Sequence, residues 1–185
     1  MKQMFLLFLL PMFLLSCNGV EKYRAPIEDV AEVWGQTTTE LTNFSENLNS
    51  TIRSYNNEVA EHSLNDPRVK EIHGEEGFNQ WMAVKMNYME ALKSYHPIQQ
   101  GVANLMKEWG KKTETLTELT EGLAAENLEG DVMGKVQELQ ETASEAQTKL
   151  KEWKEEMPAA TEEVQNAVDD WKAAYAEFKT EEEES

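Results

Sequence analysis

The residues whose types and spacing could do chemistry in this chain are three histidines and a short methionine series. His62 and His73 share the stretch EHSLNDPRVKEIHGEEG, residues 61–77, with Asp66, Glu71, Glu75 and Glu76. Imidazoles and carboxylates of that kind can hold zinc or a harder cation. No recognisable ligand spacing connects them, and a solvated polar loop is the ordinary use of such a composition. Further on, in WMAVKMNYMEALKSYH, Met82, Met89 and His96 fall seven apart, with Met86 nearby. Thioethers with an imidazole suit Cu(I), although methionines at helical spacing ordinarily fill a core. Di-iron bundles need Glu-x-x-His on inward faces. His62, His73 and His96 follow Val59, Lys70 and Lys93 at that distance, so the pattern is absent. Glycine-rich phosphate loops, nucleophile elbows and haem-attachment motifs are absent too. No catalytic, cofactor-binding or metal constellation emerges, and the chain reads as non-enzymatic.

The only cysteine is Cys17. It follows MKQMFLLFLLPMFLLS, in which Lys2 is a short positive start and residues 4–15 are apolar, broken by Pro11. That run is shorter than the roughly 20 residues needed to span a bilayer and fits a cleavable export signal. The ending Leu14-Leu15-Ser16-Cys17 resembles the lipobox of bacterial lipoproteins: a leucine three before the cysteine, a small residue just before it. Leu15 is bulkier than the commonest residue at its place. The resemblance implies cleavage after residue 16, a diacylglycerol on the Cys17 sulfur and usually an acylated new amino terminus. Two or more acyl chains anchor stably where one gives marginal binding. Cys17 would then be a lipid anchor, and no thiol would remain for a disulfide, a redox pair or a thiolate metal site. Asn18 is not the aspartate that favours inner-membrane retention in lipoproteins of the enterobacterial type. The implied address is the bacterial cell envelope, and the outer membrane where the host has two.

The chain of 185 residues holds 35 acidic and 17 basic residues, a formal charge of −18. Setting aside Lys2 leaves −19 for the part after the signal. Such a surface repels nucleic acid and anionic headgroups, which argues against DNA or RNA partners. The expected organisation is a signal over 1–16, a lipidated tether over 17–25, one helical domain over 26–180 and a disordered acidic tail over 181–185.

Apolar periodicity defines that domain. Ile27, Trp34, Leu41, Leu48 and Tyr55 recur every seven residues, with Val30, Phe44 and Val59 beside them, predicting an amphipathic helix over 26–60. Thr37, Thr38 and Thr51 dilute its stripe. Residues 61–77 lack a stripe and carry Asn65-Asp66-Pro67 and two glycines, predicting a loop. A second line runs through Trp81, Tyr88, Tyr95, Val102, Trp109, Leu116 and Leu123, with Pro97 inside it. A third alternates by fours and threes from Val132 through Trp153 to Phe178, across Pro158. The fold class is therefore all-α: an elongated, coiled-coil-like antiparallel bundle of three long helices with kinks or breaks near Pro97 and Pro158. All five tryptophans fall on these seams, which favours core packing over stacking on sugars.

A faint repeat links WGQTTTELTNFSENL, residues 34–48, with WGKKTETLTELTEGL, residues 109–123, at an offset of 75. Each Trp-Gly pair sets a large knob beside a position where another backbone could approach closely.

The expected function is a membrane-tethered helical scaffold or protein-interaction module with an envelope protein as partner. The competing reading is a carrier of a small ligand or cation. An unpaired apolar stripe would mark the first, a closed hollow the second. The long 61–77 segment, with His62, Asp66, Arg68 and His73, is the expected partner contact.

Overall fold

The computed structural model describes residues 19–183, with side chains through 179. After a 3-10 turn at Glu21–Tyr23 come α1 (Arg24–Glu61), α2 (Asp66–Ala91), a 3-10 link (Leu92–Tyr95), α3 (His96–Ala124) and α4 (Val132–Glu183). Among the described residues there is no strand. The protein is an all-α helical bundle.

The heptad residues form the core. Ile27, Trp34, Leu41, Leu48 and Tyr55 are buried on α1, and Val132, Val136, Leu139, Leu150, Val164 and Trp171 on α4. The second line is buried from Trp81 to Leu123, across both α2 and α3. Helices of this length owe most of their stability to such packing, since propensity alone contributes little per residue.

The bundle divides into two compact units. One joins the described residues up to Thr38 with Lys107–Glu145; the other joins Thr39–Met106 with the chain from Ala146 on. In the first, ion pairs Lys112–Glu138 and Lys135–Glu118 link α3 to α4. In the second, the Phe44 and Trp153 rings stack at 6.0 Å, Lys154 pairs with Glu40 at 3.1 Å, and Tyr95 donates to Thr161 at 3.0 Å.

Three expectations are corrected or narrowed. Residues 61–77 are not a loop, because α2 starts at Asp66. The Asn65 side chain caps the helix by accepting from the Arg68 backbone N–H at 3.3 Å, and Pro67 lies in the first turn, where its missing N–H costs nothing. Val69, fully buried, anchors this turn. The helix is interrupted only at Gly74, whose φ of 70° is open to glycine at little steric cost. Secondly, the line breaks as expected ahead of Pro97, through the 3-10 link, and of the kink or break expected near Pro158 the break is absent, since α4 continues through that residue. Both Pro158 and Lys154, whose carbonyl loses its partner, are exposed, so water can satisfy that oxygen. Thirdly, α4 continues to Glu183, three residues into the stretch expected to be disordered, since extending a formed helix is easier than starting one.

Candidate functional site

The residues expected to contact a partner are mostly occupied within their own unit. His62 accepts at its backbone carbonyl from Trp171 Nε1 at 2.6 Å, and its Nδ1 lies 2.7 Å from the Glu58 carbonyl oxygen. Its ring meets Tyr175 edge-on at 5.2 Å. Asp66 accepts from Trp81 Nε1 at 2.9 Å and from Lys85 Nζ at 2.7 Å. The Lys85 hydrogen bond holds the Asp66 carboxyl below its ordinary range, against the upward push of partial burial. Asp66 therefore ties the first turn of α2 to its later turns. His73 stands edge-on to Phe178 at 4.8 Å. Arg68 is exposed. His62 and His73 are each packed against an aromatic ring of α4 rather than brought together as ligands. Among the described residues, no group of three or more His, Cys, Asp or Glu side chains is placed to hold a metal. Cys17 lies outside the described residues.

The aromatic residues make the core of each unit. In the second, Trp81 meets Trp171 at 5.1 Å and Tyr88 meets Trp171 at 5.7 Å, both edge-on. Tyr88 donates to Asn56 Oδ1 at 3.0 Å, and burial pushes its phenol up to about 12, so it stays protonated at neutral pH. In the first, Trp34 and Trp109 stack. Trp34 Nε1 donates to Thr113 at 3.1 Å and Trp109 Nε1 to Thr38 at 2.9 Å. Thr38, which seemed to dilute the stripe of α1, accepts one tryptophan N–H, and Thr113 on α3 accepts the other. The offset of 75 relating the two Trp-x-x-x-Thr sequences carried that signal unnoticed.

The glycines beside these tryptophans do not admit a neighbouring backbone: a Cβ at Gly35 or Gly110 would meet nothing within 4 Å. Close approach occurs instead at Gly101, where a Cβ would lie 2.7 Å from Trp153 Cζ2.

Two surface features remain. An open groove of about 390 Å³ between α1 and α4 is lined by polar side chains, including Ser50, Thr51, Ser54, Glu58 and Gln165. It is not the apolar hollow a carrier of apolar ligands needs. On α2, Met86 and Met89 are 67% and 65% exposed, opposite the buried Trp81 and Tyr88, and Met82 is half-buried on the same side. These methionines are not core filler. No helix among the described residues is long and apolar enough to cross a membrane.

Compared with protein-family models, curated proteins and solved structures, the chain matches none.

Proposed function

We propose that this protein is a non-enzymatic lipoprotein of the bacterial cell envelope, anchored through acylated Cys17, whose helical bundle serves as a scaffold docking an envelope protein on α2. The single observation that supports this reading is the apolar face of Met86 and Met89, which among the described residues are the most exposed of the large apolar side chains, ahead of Val33, Met106 and Met133. Flexible, polarisable methionines suit adaptable protein contacts. A polar, open groove gives the carrier reading less support. The lipobox resemblance supports the anchor, and the formal charge of −18 favours a body standing off from anionic headgroups.

The test is a photo-crosslinking amino acid placed at residue 86, and separately at the exposed Glu156 of α4, in intact cells. The reading expects a discrete adduct from position 86 and none from position 156. Equal labelling from both, or none, contradicts it.

A further inference from the structure

Among the described residues, the exposed large apolar side chains are Val33, Met86, Met89, Met106 and Met133, so four of the five are methionine. Leucine matches methionine closely in volume and helix propensity. Yet no described leucine is exposed. Apolar bulk alone does not explain that preference for a thioether.

On α2 the preference has a geometry. Met82, Met86 and Met89 occupy positions i, i+4 and i+7, beyond the interruption at Gly74. That spacing places successive Cβ atoms roughly 5–6 Å apart on one face. The core face of the same helix is taken by Gly77, Trp81, Tyr88 and Ala91. Met86 and Met89 are exposed and Met82 is half-buried beside them, and their flexible side chains can bring the three sulfurs together over the helix. The nearby ammonium groups are already paired, Lys85 with Asp66 at 2.7 Å and Lys93 with Glu90 at 2.5 Å. The net negative chain draws cations toward its surface.

We propose that Met82, Met86 and Met89 form a three-thioether site for a soft monovalent cation, Cu(I), with Ag(I) as its redox-silent equivalent. Thioethers select soft ions over zinc, magnesium and calcium. They do not protonate in water, so binding should not weaken through the range in which histidine or thiol sites lose their metal. His96, beyond the 3-10 link, is not needed as a ligand. The site shares its face with the proposed docking surface but does not depend on it.

The probe is Ag(I), titrated by calorimetry into the protein from residue 18 on, and Cu(I) held under reductant in competition with a chromophoric chelator. One ion should bind per chain, with an affinity similar at about pH 5 and about pH 7. Replacing Met82, Met86 and Met89 together by Leu should weaken binding about tenfold or more with helicity unchanged. Met106→Leu, Met133→Leu and His96→Ala should leave it unaltered. Equal binding by wild type and the triple-Leu variant overturns the site, as does Zn(II) binding as tightly as Ag(I). Because leucine keeps the apolar surface, the triple variant should still crosslink from a neighbouring exposed position such as Ala83. Loss of silver with the adduct retained separates the metal site from docking. Met86→Lys removes one thioether and adds a like charge, so it should weaken silver binding too, and silver retained at wild-type affinity in that variant overturns the three-thioether site.

Discussion

Trp34 and Trp109 lie face to face, their ring centroids 3.6 Å apart and their planes within 12°. Each ring N–H donates to the threonine four residues after the other tryptophan, and each threonine hydroxyl donates to the carbonyl of its own helix's tryptophan, at 2.7 Å from Thr38 and 2.9 Å from Thr113. The clasp is reciprocal: two copies of Trp-x-x-x-Thr, on helices α1 and α3, satisfy one another. Trp109→Ala should cost about 3–5 kcal/mol and lower Tm markedly. Thr38→Val leaves the Trp109 N–H without its acceptor and should cost about 1–3 kcal/mol. Thermal unfolding checks both, and a loss from Trp109→Ala no larger than a surface substitution would contradict the clasp.

Glycines separate along the same helices. Gly101→Ala forces a methyl into the Trp153 ring and should destabilise by about 1–3 kcal/mol. Gly35→Ala and Gly110→Ala enter open space on helices and should each stabilise by about 0.5–1 kcal/mol. Denaturant midpoints of the three variants should fall on opposite sides of wild type.

Asp66 predicts an acid-sensitive contribution. Its carboxyl titrates below the ordinary range when folded, so its stabilising effect is full above the unfolded-state value. That effect is lost as pH falls from the ordinary carboxylate range toward the lowered folded value. The pair with Lys85 is partly exposed, which limits it to about 1 kcal/mol or less. Asp66→Asn should therefore lower stability slightly at neutral pH and match wild type at the acid end, measured by denaturant unfolding across pH.

The heptad lines were legible because burial follows period: Trp81, Tyr88, Tyr95, Val102, Trp109, Leu116 and Leu123 all lie in the core. The start of α2 was not. Asn65-Asp66-Pro67 has the composition of a turn, and the same residues serve as cap and first turn of a helix once Val69 has a core to enter. Thr38 looked like dilution because period records apolar character and is silent on which N–H groups need an acceptor. The exposed methionines were illegible for the converse reason. Spacing shows that Met82, Met86 and Met89 share a face, and only the placement of the other helices decides whether that face is covered.

The anchor gives a prediction of its own. Cys17→Ala should abolish incorporation of labelled fatty acid and move the protein from the membrane to the soluble fraction. A variant that stays labelled and membrane-bound contradicts the assignment.

The most direct measurement is methionine oxidation by dilute peroxide, compared between purified protein and intact envelopes washed with a Cu(I) chelator. In purified protein Met86, Met89 and the exposed Met133 should all convert readily to sulfoxide. In envelopes, a docked partner should slow oxidation at Met86 and Met89 relative to Met133. Equal slowing, or none, at all three methionines would contradict a docking face on α2.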